Sequence, residues 1–273
     1  MKSSEIKVFG RAAMVGRQLS GAAIPVLFCS GALVWGFMTA NVRLLLSAGK
    51  LEGALLGLGS EFAPIINIAV CLLLAVAGLF LFAPASVGVY EWFLRGAMND
   101  KIPIKRVFSW YSYKKAFRAF ALTLTLLLIK SVIVLLFCLP GLALAAGGIY
   151  MLFSSGISLG TALTVFSGSA VLLAVGAVFS FCTVQRYAAA PYIAAIRPCT
   201  GVRSAINASA RIMQGRYLSC AAFKLSFAPW LLSCLLVVPA LFVWPYYRQA
   251  CAVWMLETVR NLKNNIDRYK ILY

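Results

Sequence analysis

Acidic, imidazole and thiol side chains set the limits of the chemistry open to this chain. Among its 273 residues only 7 are Asp or Glu, and none is His. Carboxylates inside a membrane mark proton relays and cation sites, and imidazole is the usual base of a catalytic triad. None of the acids falls in the middle of a long apolar run: Glu5, Glu52, Glu61, Glu91, Asp100, Glu257 and Asp267. We therefore expect neither an enzyme nor a proton-coupled pump.

Cysteine adds no reactive pattern. The chain has 8 cysteines, none of them in a C-x-x-C pair, and most fall inside apolar runs. A free cysteine in such a run packs as a small hydrophobe. Sequence motifs for a phosphate-binding loop, a nucleophile elbow or a helical zinc site are also missing. The sequence predicts no cofactor and no metal.

Two cations stand out because they interrupt apolar sequence. Lys130 follows three leucines and an isoleucine, and Arg248 follows Pro245-Tyr246-Tyr247. A charge in mid-membrane costs about 2.5–3.5 kcal/mol on insertion scales. We hypothesise that both face one polar cavity for an anion or a lipid headgroup. The alternatives are that Lys130 extends to the membrane surface and that Arg248 marks that surface.

Composition indicates that lipid surrounds most of the chain. Hydrophobic residues make up 62% of the sequence, and the mean hydropathy is +0.91. A soluble domain is about 45–50% apolar, and a membrane helix needs about 20 apolar residues. Because the long runs do not alternate as barrel strands do, we predict an all-α fold. It is a polytopic transmembrane helical bundle that forms one integral membrane domain over residues 1–273.

Positive charge predicts the topology. The chain carries 25 Lys and Arg, and such residues stay on the cytoplasmic side. Both ends are basic, as are residues 90–120 and 186–216, so the number of crossings is even. We read residues 22–46 as an uncleaved first span rather than a signal peptide. The region from residue 218 to 261 makes one crossing or two. We favour two, and predict about six spans, at residues 22–46, 64–87, 119–146, 162–185, 218–237 and 239–256.

The two basic internal segments predict amphipathic helices lying in the headgroup zone. Residues 104, 107, 108 and 111 are apolar or aromatic at helical spacing, and residues 202, 206 and 213 repeat the pattern. A cationic helix with one apolar face binds at a membrane surface, and each Lys or Arg adds about 1 kcal/mol near anionic lipid. Because the basic residues lie mostly between the apolar runs, the net charge of +18 does not indicate a nucleic-acid partner. The basic positions are Lys105, Arg106, Lys114, Lys115, Arg118, Arg203, Arg211 and Arg216.

Residues 192–254 resemble a bacterial polytopic membrane family of unknown function, domain of unknown function 975. The resemblance lies in Met213-Gln214-Gly215, Leu225-Ser226-Phe227 and Pro245-Tyr246, with Ala205, Ile206, Ser209, Phe223 and Trp230. That family usually has Lys at position 214 and Gly at position 229, where this chain has Gln and Pro. The resemblance implies a bacterial inner-membrane protein. It supplies no activity or catalytic residue.

These observations lead to one functional expectation and one alternative. We expect a non-enzymatic accessory or scaffold component of the bacterial inner membrane, multi-pass, with both termini cytoplasmic. Its partners would be membrane lipids with anionic headgroups and a protein that the sequence does not identify. The alternative is a small transporter or permease-like protein for an anionic or lipid-like solute, with helices broken at its prolines.

Overall fold

A computed structural model describes residues 3–47, 63–98, 100, 102–155, 159–233 and 237–271. Nearly all of these residues are helical, and none of them forms a strand. The chain divides into two compact units, which are described separately below. Unit 1 holds residues 1–121 and 227–273, and unit 2 holds residues 122–226.

Four helices within the described ranges are long and apolar enough to cross a membrane. They are α2 (Gln18–Ser47), α3 (Ala63–Ala97), α4 (Tyr113–Ser155) and α5 (Leu159–Val184). Their apolar stretches are Gln18–Val42, Ile68–Ala97, Tyr113–Ser154 and Gly160–Ile196, which overlap the first four predicted spans. The prediction of a helical protein with membrane-length helices is confirmed.

The count of six spans is not confirmed. Residues 218–237 do not form one helix where the structure describes them, because the chain breaks into α8 (Tyr217–Leu225) and α9 (Ala228–Ser233). Helices of 9 and 6 residues reach about 14 and 9 Å at ~1.5 Å per residue. The last helix, α10 (Val237–Ile271), has 35 residues but is too polar overall to join the four membrane candidates.

In unit 1, the helices α2 and α3 run antiparallel in close contact. Gly31 lies against the Phe82 ring and Gly78 lies against the Trp35 indole. Small residues allow membrane helices to approach closely. Continued toward the start of α2, the same register reaches Arg17, whose guanidinium lies against Gly96.

A short 3-10 helix, Ile104–Tyr111, packs on the second half of α3. A Cβ on Gly88 would overlap the Val107 carbonyl oxygen, so the close approach depends on glycine there. Val107 and Trp110 are buried, whereas Phe108 and Tyr111 remain exposed. The sequence had placed residues 107, 108 and 111 on one membrane-facing stripe. Packing on α3 buries Trp110 and leaves Phe108 exposed, so the buried face differs from the predicted stripe. The predicted interfacial position of this segment is not confirmed.

In unit 2, the helices α4 and α5 form an antiparallel hairpin. Gly141 faces Leu173, Gly148 faces Val165, and Gly176 faces the Phe137 carbonyl. The helix α4 continues through Pro140 and all three following glycines to Ser155, beyond the predicted span of residues 119–146. Its 43 residues span about 64 Å, twice the ~30 Å of a bilayer core.

The start of α4 within unit 2 packs against the basic segment that follows α5. That segment contains α6 (Ala190–Ile196) and α7 (Val202–Ile212). Leu122 and Leu126 share a buried cluster with Ala190, Ala205 and Ile206. The helix α7 therefore has one face buried in the protein, with Arg203 and Arg211 exposed on the other.

Candidate functional site

Two arginine side chains of unit 1 stack on aromatic rings at the C-terminal end of α3. The Arg17 guanidinium lies 4.0 Å from the centre of the Trp92 ring, and that of Arg248 lies 4.4 Å from the Tyr90 ring. A cation over an aromatic face gains about 0.5–2 kcal/mol, with the larger values in dry sites. Arg248 also lies 5.2 Å from the Trp244 ring.

One buried acid holds the 3-10 helix in place. Glu91 accepts a hydrogen bond of 2.7 Å from Trp110 Nε1. It also pairs with Arg95 at 3.1 Å and with Arg106 at 3.5 Å. A carboxylate with this many partners supports structure rather than proton transfer. Arg106, predicted as a headgroup contact, is thus partly engaged inside the protein.

A cavity of about 390 Å³ opens in unit 1 between α1 (Ser3–Met14), α9 and the start of α10. Lys7 and Arg11 line it from one face of α1, one helical turn apart. Tyr246 lines it from α10 and donates a hydrogen bond of 3.3 Å to the Lys7 carbonyl oxygen. Apolar side chains supply most of the remaining wall: Met14, Phe227, Trp230, Phe242, Val243 and Pro245.

The charged side chains that line this cavity are both cationic. No carboxylate occurs among the described residues that line it. Burial raises the pKa of the Tyr246 phenol, and the nearby Arg11 guanidinium lowers it to a smaller extent. The phenol therefore stays protonated at neutral pH, as its hydrogen bond to the Lys7 carbonyl oxygen requires. The arrangement suits an anion with an apolar portion.

A second cavity of about 460 Å³ lies between α2, α3 and the 3-10 helix. It is lined by apolar side chains, with Ser30 and Tyr111 as its polar members. The Tyr111 hydroxyl already donates to the Leu81 carbonyl oxygen at 2.8 Å. This space fits hydrocarbon and offers no charge for a headgroup.

Lys130 lies near one end of the α4–α5 hairpin rather than at its middle. The glycine contacts of this hairpin set its register, and continuing that register toward the start of α4 brings Lys130 level with Thr183. The helix α5 ends at Val184, and Gln185 and Arg186 follow. The Lys130 side chain is exposed. Its position favours the alternative in which it reaches the membrane surface.

The hypothesis of one cavity shared by Lys130 and Arg248 stays a prediction. Lys130 belongs to unit 2 and Arg248 to unit 1. Neither residue lines the two cavities described above. Arg248 is half-buried among aromatic rings.

The other predicted basic positions are on the protein surface. Lys105 and Arg106 lie on the 3-10 helix, and Lys114, Lys115 and Arg118 lie on the first turns of α4. Rather than forming a separate interfacial helix, the latter three continue directly into a membrane-length helix. Arg203 and Arg211 are exposed on α7, and Arg216 is partly exposed just before α8.

The cavity on α1 was missed by sequence reasoning. Lys7 and Arg11 had been read only as part of the basic N-terminal end. Trp230 and Tyr246 had been noted for a family resemblance, and Tyr246 also as a neighbour of Arg248. One usable signal was the four-residue spacing of Lys7 and Arg11, which puts both on one face of a helix. Nothing local indicated that Tyr246 lies beside them.

Comparisons with protein-family profiles, with curated proteins and with solved structures found no match to this chain. The family resemblance therefore stays a prediction. Several residues that carry it have structural roles here. Ser209 and Met213 are fully buried, and the Ser209 hydroxyl donates to the Arg186 carbonyl oxygen at 3.1 Å. Gly215 has a φ of 73°, a conformation that favours glycine.

Proposed function

We propose that this protein is a non-enzymatic accessory or scaffold component of the bacterial inner membrane, which uses its basic residues to contact anionic lipid. The observation that carries the proposal is the arrangement of unit 2. Its exposed apolar hairpin ends near Lys130 and Gln185, and the basic helix α7 packs beyond that end. Exposed apolar residues call for lipid around the hairpin, and exposed arginines next to it favour anionic headgroups. The bacterial origin rests on the family resemblance.

The proposed topology has four crossings with both termini in the cytoplasm. Residues 131–155 of α4 and the whole of α5 then cross the bilayer. A stretch of 25 residues spans about 37 Å, which is enough for the ~30 Å core. The six-crossing version adds residues 218–237 and 239–256, and it keeps the same sides for both ends. Four crossings are favoured because α8 and α9 are each too short to cross.

Cysteine labelling tests this topology. Single cysteines at Ser155 and Lys263, in a background without the native cysteines, would be treated with an impermeant maleimide on intact cells and on inverted vesicles. We expect residue 155 to react from outside and residue 263 from the cytoplasmic side. Reaction of both from the same face would overturn the arrangement.

Lipid association tests the functional part. The triple variant Lys114→Gln, Lys115→Gln, Arg118→Gln should retain less phosphatidylglycerol on purification than the parent. Each Lys or Arg near an anionic surface contributes about 1 kcal/mol, a factor of about five. Retention that does not change in this variant, or that is insensitive to salt, would contradict the proposed electrostatic contact.

A transporter or permease for an anionic or lipid-like solute is the second candidate. The open cavity between α1 and α10, with two cations in its wall, is the observation that favours it. Vesicles containing the purified protein and a fluorescent phosphatidylglycerol would separate the two functions. A scaffold leaves lipid exchange between leaflets at the level of empty vesicles. Exchange above that level would favour transport.

A further inference from the structure

The cavity on α1 combines a cationic rim with an aromatic interior. The Lys7 ammonium lies 4.6 Å from the centre of the Phe227 ring, and Phe227 in turn packs edge-on against Tyr246 at 5.6 Å. Arg11 is exposed one turn further along α1. Lys7 and Arg11 thus line one space, beside the Tyr246 ring. Charge-assisted hydrogen bonds from such groups are the strong ones for phosphate.

The apolar side of the cavity is open. Trp230 is 58% exposed and Phe242 is 57% exposed, and both line the cavity. Tryptophan favours the boundary between headgroups and hydrocarbon, where one part of the ring is wet and the other apolar. A small free anion would leave most of this wall uncovered. An amphiphile would place its charged group at the cations and its chain on the aromatic rings.

We propose that this cavity binds the phosphodiester headgroup of one anionic phospholipid, with Lys7 and Arg11 as headgroup contacts and Trp230 and Phe242 against the acyl chain. This site rests on the proposed function, because it requires the protein to lie in a membrane. It differs from the diffuse contact of the exposed basic residues in being stoichiometric and selective. Its volume of about 390 Å³ is within the range of about 300–1,000 Å³ found for ligand cavities.

Native mass spectrometry of the delipidated full chain tests the site. The protein would be titrated with phosphatidylglycerol and with phosphatidylethanolamine of the same acyl chains. We expect one phosphatidylglycerol to bind ahead of all others. The double variant Lys7→Gln, Arg11→Gln should weaken that first binding about 25-fold, since each cation contributes a factor of about five. The double variant Arg197→Gln, Arg260→Gln loses the same charge at residues that do not line the cavity and should bind as the parent does.

A second variant keeps both cations and fills the cavity. Val243→Trp places a bulky ring in the cavity wall and should abolish the first binding, with the helical circular dichroism unchanged. This variant decides the matter if the charge variant fails to fold. Loss in the charge variant with full binding in Val243→Trp would overturn the cavity as the site. Equal loss in the control variant would also overturn it.

Competition with glycerol 1-phosphate tests whether the cavity binds a free phosphate or a lipid. At the same concentration it should not compete with phosphatidylglycerol, because it lacks the chain that the aromatic wall contacts. Equal binding of glycerol 1-phosphate would overturn a phospholipid as the occupant. The labelling and retention experiments test the proposed function separately from this site. Loss of the selective site alone would leave the diffuse lipid contact intact.

Discussion

The two halves of α3 are both apolar but have opposite surroundings. In the first half, Ile68 is 69% exposed and Leu73 is 68% exposed. In the second half, Trp92 is 0% exposed and Phe93 is 1% exposed. One continuous helix therefore passes from a largely exposed surface into a packed protein core.

The difference shows that apolarity and burial are separate properties in such a protein. Lipid tails solvate leucine as well as another leucine does, so an apolar side chain gains little by contacting protein in the bilayer. Packing must then come from shape, aromatic contacts and hydrogen bonds. The second half of α3 supplies these through Gly88, Phe93 and Glu91. The first half presents mainly exposed apolar side chains.

Truncating one aromatic side chain in each environment should give the largest contrast. Phe93 packs edge-on against Trp92 at 5.0 Å and against Trp244 at 5.9 Å. Phe93→Ala should cost about 3–5 kcal/mol, because a buried aromatic leaves a cavity behind. The measurement is the free energy of unfolding in mixed micelles, titrated with a denaturing detergent.

The matched control is Leu73→Ala in the exposed half of the same helix. A side chain that contacts only lipid or detergent should cost less than about 1 kcal/mol, since no protein cavity forms. Similar losses at Leu73 and Phe93 would mean that the first half of α3 is also buried against protein.

Changing the charge at two levels of the α4–α5 hairpin should show which exposed positions face lipid and which face water. Val171 is 62% exposed near the middle of α5. Val171→Lys should make insertion of this segment less favourable by about 2.5–3.5 kcal/mol. The measurement is the inserted fraction of the segment in a microsomal glycosylation assay.

Lys130 provides the counterpart in the same assay. It lies level with the end of α5, so Lys130→Leu should change insertion by less than about 1 kcal/mol. A gain as large as the loss at Val171 would place Lys130 in the hydrocarbon. The hypothesis of a buried cation would then be restored.

Removing the buried acid should weaken the attachment of the 3-10 helix to α3. Glu91→Ala leaves the Trp110 indole without its acceptor and leaves Arg95 and Arg106 without their anion. We expect a loss of about 2–3 kcal/mol in the same unfolding titration, with a change in tryptophan fluorescence. The exposed acid Asp100 gives the control, since Asp100→Asn should fall within about 0.5 kcal/mol of the parent. Equal effects would show that the Glu91 contacts contribute nothing to stability.

Adding a single methyl group should give the smallest contrast. Gly88→Ala forces the new Cβ into the Val107 carbonyl and should cost about 1–3 kcal/mol. Gly36→Ala has open space around its Cβ on the exposed part of α2 and should be neutral or slightly stabilising, by about 0.5 kcal/mol. Thermal unfolding of both variants side by side measures the difference. A tolerant Gly88 would mean that the 3-10 helix can move away from α3.

Local patterns in the sequence were enough for the class of structure. The helical fold and the four membrane-length helices follow from the length and composition of apolar runs, and each run decides its own helical state in lipid. The same reasoning failed at residues 218–237. That run is apolar, but the chain turns at Ser226–Phe227 and divides it into α8 and α9.

Only the tertiary structure decided which apolar residues face protein and where a cavity forms. Lys7 and Tyr246 join through a hydrogen bond across 239 residues of sequence. Trp110 donates a hydrogen bond to Glu91 across 19 residues, and the hairpin register puts Lys130 level with the end of α5. A run of residues specifies its own hydrophobicity and helical period, which are local. The neighbour that a side chain meets depends on packing between distant segments, and composition does not encode it.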